Sequence, residues 1–182
     1  MSDIVVLSGS PSEQSRTDIV LRYLGHLLEK EKLSVSHISV RDIPQEVLFL
    51  GQHESPVIQD ITALILQAKG VIIGSPVYKS AYSGVLKALI DLLPQDVLQD
   101  TPVLPLMTGG SAAHLLAIEY TLKPLLANLK GQNLKGVYLL DNQISKELLE
   151  QPIIDVEILE RTRKQLYYFI QTVQKQRTAV FR

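Results

Sequence analysis

A chain of 182 residues with 46% hydrophobic and 20% charged side chains has the apolar content for one folded domain with a substantial core, which excludes disorder along its whole length. A formal net charge of −1, from 18 basic and 19 acidic side chains, gives no electrostatic footprint for nucleic acid or an anionic membrane. The absence of cysteine excludes disulfides, thiolate catalysis and cysteine-bound metal centres.

The N-terminus, Met1-Ser2-Asp3, has no basic region and leads into a short apolar run, unlike a secretory signal, so a cytoplasmic location is expected. Ile4 to Ser8 is a continuous apolar run, the pattern of a strand covered on both faces. From Thr17 to Lys32, Ile19, Val20, Tyr23, Leu24, Leu27 and Leu28 recur at helical spacing. Ser34 to Val40 alternates as a less buried strand, and Asp42 to Pro56 reads as loop with a short turn near Gln45 to Leu48. Val57 to Lys69 predicts a helix that Gly70 interrupts just before the strand Val71 to Ser75.

Ser83 to Leu93 predicts a helix ending before Pro94, and Pro102 to Met107 a strand in spite of Pro105. Ala112 to Lys130 predicts another helix, with Pro124 kinking or widening it near Tyr120. Leu134 to Leu140 completes the strands and Asp155 to Lys175 the helices. Five strands alternating with five helices imply a single α/β domain over residues 1–182, its parallel sheet covered on both faces. Ligands of such sheets bind beyond the carboxyl ends of the strands, which nominates the loops after Leu7, Ile73 and Met107.

The first of these loops, Gly9 to Thr17, offers hydroxyls at Ser8, Ser10, Ser12, Ser15 and Thr17 and a cation at Arg16, ahead of a helix whose positive end faces the loop. Two readings stay open on the residues alone: a monophosphate cradle, or a helix merely capped by Ser15 or Thr17. A P-loop would need a second glycine followed by lysine, and a dinucleotide loop three spaced glycines; Gly9 stands alone. In the second loop Pro76 stiffens the turn, while Tyr78 and Tyr82 offer flat surfaces to a planar ligand or to a partner subunit. In the third, Thr108-Gly109-Gly110-Ser111 allows close backbone approach or a plain turn, and His114 sits on the helical turn that follows.

These residues resemble a known family. Gly9-Ser10-Pro11 with Ser15-Arg16-Thr17, then Pro76-Val77-Tyr78-Lys79, Gly84-Val85-Leu86-Lys87-Ala88-Leu89-Ile90-Asp91 and Gly109-Gly110 are similar to the NADPH-dependent FMN reductases. Pro76 to Leu93 and Thr108 to Lys123, with Tyr120, most resemble the reductase component of two-component alkanesulfonate monooxygenases. The resemblance implies a flavodoxin-like fold with strand order 2-1-3-4-5. It implies a phosphate held by Ser10, Ser15, Arg16 and Thr17, with Pro76, Val77, Tyr78 and Lys79 on one side of the isoalloxazine and Thr108, Gly109, Gly110 and Ser111 on the other. Tyr120 resembles a tyrosine in a widened helical turn near the flavin and subunit contacts, whereas Lys87 and Asp91 look structural. The chain departs from the family at Ser12, where arginine is common, so Arg16 is expected to be the only cation near the phosphate; it departs also at Lys79 (often asparagine) and Ser83 (often proline).

The implied activity is hydride transfer from NADPH to FMN, with Lys79 or helix-terminal amides stabilising charge at the flavin N1–C2 edge, and no acid–base, nucleophilic or metal centre. Reduced FMN would pass to a separate flavin-dependent monooxygenase, and a homodimer or homotetramer is expected, with the apolar helices at 83–93 and 112–130 as contact surfaces. Competing readings are an FMN-retaining quinone, azo-dye or chromate reductase, a non-enzymatic flavodoxin-like electron carrier, for which the near-neutral charge is a weakness, and a scaffold with a vestigial site.

Overall fold

Short runs of branched apolar residues form the strands and longer amphipathic runs the helices that cover them. The computed structural model describes residues 2–179, with side chains through residue 175; Met1 and residues 180–182, the ends of the expected domain, lie outside it. β1 (Ile4–Ser8) is buried at every position. It pairs in parallel with β2 (Val35–Ser39) on one side and β3 (Gly70–Pro76) on the other. β4 (Pro102–Gly109) follows β3, and β5 (Gln132–Asn133) and β6 (Val137–Leu140) share the position beyond β4. The described residues thus form a parallel sheet of order 2-1-3-4-5, with β6 continuing the fifth position.

Because successive side chains of a strand point to opposite faces, the sheet feeds two cores. Ile4, Val6, Ile72, Leu104 and Leu106 pack against α1 (Arg16–Lys30) and α6 (Val156–Ala179). Val5, Leu7, Val71, Ile73 and Val103 pack against α3 (Pro56–Gln67), α4 (Gly84–Ile90) and α5 (Lys123–Asn128). The stripe Val20, Leu21, Leu24 and Leu28 seats α1 on the sheet, each side chain at most 1% exposed; each such burial contributes about 2 kcal/mol. α1 therefore cannot shift without cost, and its N-terminus is held at the carboxyl end of β1.

Several elements differ from the sequence-based expectation. The loop after β2 contains a short helix, α2 (Gln45–Phe49). α3 stops at Gln67, with the turn made at Ala68, and Gly70 already belongs to β3. α4 covers only Gly84–Ile90, since residues 91–93 continue as turns. The helix expected over Ala112 to Lys130 is a 3-10 turn at Ala112–His114, a widened turn at Ile118–Leu122 and then α5. In the widened turn the Lys123 N–H reaches back five residues to the Ile118 carbonyl. Pro124 has no N–H to give, so it removes the next α-type bond and relaxes the demand for α geometry at this turn.

The strand expected over Leu134 to Leu140 begins only at Val137, and residues 134–136 separate it from the two-residue β5. Between Val103↔Asn133 and Leu106↔Val137, β4 advances three residues while its partner advances four. The Leu134 N–H bonds to the Val103 carbonyl, so Val103 directs its polar groups to this edge, and Pro105, two residues on, does the same. Pro105 lacks the N–H that a continuous ladder would use, and the extra residue lies opposite it. Gly136 makes the crossing with φ +82°, its Cα so close to Pro105 that a Cβ would lie 2.9 Å from both the ring Cγ and the carbonyl oxygen.

Candidate flavin site

The carboxyl ends of β1, β3 and β4 carry the three nominated loops side by side. The first leaves β1 at Gly9, whose N–H bonds to the Gly74 carbonyl at 2.7 Å. A Cβ at Gly9 would sit 2.8 Å from the Leu86 Cβ, so this glycine serves close packing of the loop on α4. Ser83, the N-cap of α4, locks that contact by donating its hydroxyl to the Gly9 carbonyl while accepting the Leu86 N–H at 3.0 Å. The Ser83 N–H donates to Ser75 Oγ at 2.9 Å. Proline, common at this position in the family that the chain resembles, has no N–H for that bond.

Loop hydroxyls use their acceptor sites inward and keep their protons. Ser10, 1% exposed, accepts the Ser12 N–H at 3.3 Å. Ser15 is the N-cap of α1 and accepts the Asp18 N–H at 3.2 Å. The capping alternative is therefore realised, yet a capping hydroxyl spends a lone pair and still has a proton to donate. Arg16 Nε and Ser8 Oγ are buried with no partner. A buried polar group without a partner costs about 1–3 kcal/mol, and here the orphaned donor is a guanidinium at the positive end of a helix. The set is rich in donors and poor in free acceptors, which is the complement of a phosphate monoester.

Asp18 in the first turn of α1 is neutralised from two sides, by Arg22 Nε at 3.1 Å and Arg41 Nη2 at 3.7 Å. Arg41 lies just beyond β2, in the 3-10 turn Val40–Asp42. Arg41 is thus a second cation at the first turn of α1, engaged there by Asp18. Sequence reading passed over Arg41 because nothing local in residues 40–42 shows that they reach the first turn of α1.

In the second loop, Tyr78 and Ala81 exchange both backbone hydrogen bonds, at 2.8 and 3.1 Å. The two residues between them, Lys79 and Ser80, have φ +50° and +65°. Consecutive left-handed residues make the tight primed turn that usually takes Asn-Gly. Asparagine at position 79 would adopt this backbone with less strain than lysine. Tyr78, 46% exposed, stands free, whereas Tyr82 packs on the core beside α4, which leaves Tyr78 as the flat surface of this loop. Pro76 and Val77 are half-buried at the base, where the Val77 N–H bonds to the Thr108 carbonyl at 2.7 Å.

The third loop leaves β4 at Gly109. Gly110 and Ser111 are exposed, and Ser111 caps the 3-10 turn by accepting the Ala113 N–H at 3.2 Å. Its carbonyl accepts the Tyr138 hydroxyl from β6 at 2.6 Å. Burial, with a smaller push from Asp141, raises the Tyr138 pKa above the usual phenol value, so the hydroxyl stays protonated and keeps donating. At the loop tips Ser80 Oγ lies 3.3 Å from His114 Nδ1. Thr108 is only 2% exposed and its hydroxyl meets that of Thr17 at 2.6 Å. Tyr120, in the widened turn, is 75% exposed. Lys87 and Asp91 form an exposed ion pair at 2.6 Å, one turn apart at the end of α4.

The structure brings Ser10, Ser15, Arg16 and Thr17 together at one end of α1, and the Pro76 to Lys79 and Thr108 to Ser111 segments at the neighbouring strand ends. Comparison with known proteins gives the family. The profile of the NADPH-dependent FMN reductases matches residues 2–145. An FMN reductase (NADPH) of Pseudomonas putida is 41% identical over 86% of this chain and 80% of its own length. The corresponding Escherichia coli protein is 44% identical over 78% of this chain and 74% of its own. An NADH-dependent FMN reductase of Pseudomonas fluorescens is 36% identical over 82% of this chain and 85% of its own. Among solved structures, an NADH:FMN oxidoreductase in its apo form superposes with a TM-score of 0.83 at 29% identity, covering 94% of this chain and 90% of that one. An archaeal flavodoxin, at 12% identity and TM-score 0.60 over 94% of this chain and 98% of its own, shares the fold. The chain belongs to the NADPH-dependent FMN reductase family.

Proposed function

We propose that this chain reduces FMN with NADPH at the three loops and releases the reduced flavin to a separate flavin-dependent monooxygenase, one that desulfonates alkanesulfonates. The carrying observation is the surplus of buried donors at the head of α1, above all the unpartnered Arg16 Nε. Ser10 and Ser15 give their remaining protons to the phosphate, and Arg16 supplies charge and directed N–H groups. Pro76, Val77 and Tyr78 form one wall for the ring, and Gly109, Gly110 and Ser111 the other. Lys79, exposed at its turn, offers positive charge to the ring edge. When bound, the flavin supplies the hydride chemistry, and the protein supplies orientation and electrostatics.

Release to a partner is supported by the resemblance to alkanesulfonate-system reductases and by the open rim of the site, where Tyr78, Lys79 and Ser80 are all exposed. NADPH is favoured because the relatives at 41% and 44% identity carry that specificity in their names, while the one at 36% is NADH-dependent. The same resemblance supports a homodimer or homotetramer. Among the described residues no helix is long and apolar enough to cross a membrane.

Anaerobic mixing with NADPH and FMN tests the reading: flavin absorbance should bleach, with saturation kinetics in added FMN and ready loss of FMN on dialysis. No bleaching would overturn the reductase assignment, and FMN that survives dialysis would favour a retained prosthetic group. Addition of the monooxygenase and an alkanesulfonate should release sulfite in step with NADPH oxidation.

A further inference from the structure

The three loops are pinned at one residue. The Thr108 carbonyl holds the Val77 N–H at the base of the second loop, and its chain runs on into Gly109 and Gly110 of the third. Its hydroxyl meets Thr17, the second residue of α1, across 91 positions of sequence. Thr17 and Thr108 are 1% and 2% exposed, so bulk water cannot satisfy either hydroxyl and each depends on the other.

A hydroxyl carries one proton. In an isolated pair, either oxygen can donate and the polarity is undefined. A phosphate at the head of α1 removes the ambiguity. If Thr17 gives its proton to the phosphate, the hydrogen bond with Thr108 survives only with Thr108 as the donor. A donor that is itself hydrogen-bonded in this way is polarised, and a donor already aimed costs less to order on binding.

We propose that Thr108 is a positioning residue that acts through Thr17: its hydroxyl donates to Thr17 Oγ and so aims the Thr17 proton at the phosphate of FMN. The inference rests on the flavin reading above and moves Thr108 from the isoalloxazine wall to the phosphate end of the site. It also links the two ends, because the residue that orients the phosphate donor also holds the second loop and begins the third.

Thr108→Val keeps the shape and removes the hydroxyl. Titration with FMN and with riboflavin, which lacks the phosphate, separates a relay from a general loosening of the fold. FMN affinity should fall about fivefold, the weight of one hydrogen bond, while riboflavin affinity stays unchanged and Thr108→Ser restores FMN binding. If Thr108→Val fails to fold, Thr17→Val is compared with the double variant Thr17→Val/Thr108→Val, which leaves no orphaned hydroxyl. FMN affinity that is equal in those two proteins and lower than in the unaltered chain supports the relay; no loss in Thr17→Val, or a further loss in the double variant, overturns it. Equal losses for FMN and riboflavin, or no loss in Thr108→Val, also overturn it while leaving the flavin reading intact. Failure of the unaltered chain to bind FMN sinks both.

Discussion

Arg16 shows how a side chain can be costly to the folded chain and useful to its ligand. Its Nε is buried without a partner, so truncation to alanine breaks no internal hydrogen bond at that atom. A charge-assisted hydrogen bond to phosphate contributes about 1.5–3 kcal/mol, so FMN affinity in Arg16→Ala should fall at least tenfold. The melting temperature should hold or rise slightly, because an unsatisfied buried donor has been removed. Flavin fluorescence titration beside a thermal melt reads both quantities, and unchanged FMN affinity would show that Arg16 does not face the phosphate. Arg41 will not replace it, since its guanidinium is already engaged with Asp18.

At the scale of elements, the strands with both faces covered are legible because burial leaves an unbroken apolar run of three or four residues, as in Ile4 to Leu7 and Val71 to Ile73. The loops of the site followed from topology alone. What could not be read was the partner of each hydroxyl, because pairs such as Thr17 and Thr108 lie 91 positions apart. The segment 112–130 has a helical apolar pattern, and periodicity cannot distinguish α from wider or tighter turns; only Pro124 hinted at the change. The division between β5 and β6 was hidden because it answers a missing N–H on Pro105, a residue of the neighbouring strand. Gly136 is the point of failure there. Gly136→Ala meets both a positive φ and the Pro105 ring and carbonyl, so it should destabilise the fold by about 2–3 kcal/mol. Urea unfolding should show a lower midpoint, and an unchanged midpoint would mean that the edge can re-register without loss.

The whole molecule is stitched at the opposite end of the sheet from the site. Asp3 bonds to the Lys69 ammonium and to the N–H and hydroxyl of Ser34, tying the start of β1 to the approaches of β3 and β2. The Lys69 hydrogen bond, then those from Ser34, hold its carboxyl far below the ordinary 3.8. A pKa depressed on folding stabilises the fold above the unfolded value, and that contribution is lost as the pH falls through and below it. Asp3→Asn should therefore lower the urea midpoint at neutral pH, with the gap to the unaltered chain narrowing as the pH is taken below 3.8. A gap independent of pH would assign the effect to packing.

Assembly is the last property of the whole molecule that the surface bears on. The leucines of α4 are spent on the core, with Leu86 and Leu89 at 0% exposure, and its half-buried Val85 and Ala88 add no large exposed side chain. The segment before α5 does: Leu115, Leu116 and Tyr120 are 47%, 54% and 75% exposed, and the Tyr120 N–H bonds to the Leu116 carbonyl, which sets Tyr120 one turn from Leu116. Exposed apolar side chains grouped in this way mark a contact surface, and the commonest way for identical chains to cover one is by twofold symmetry. Leu116→Glu places a charge in the patch without touching the protomer core. In sedimentation equilibrium the unaltered chain should weigh as a dimer or tetramer and Leu116→Glu as a smaller species with the same circular dichroism. A monomeric unaltered chain, or an assembly indifferent to Leu116→Glu, would leave the patch without a role in self-association and direct attention to the flavin-dependent partner as its occupant.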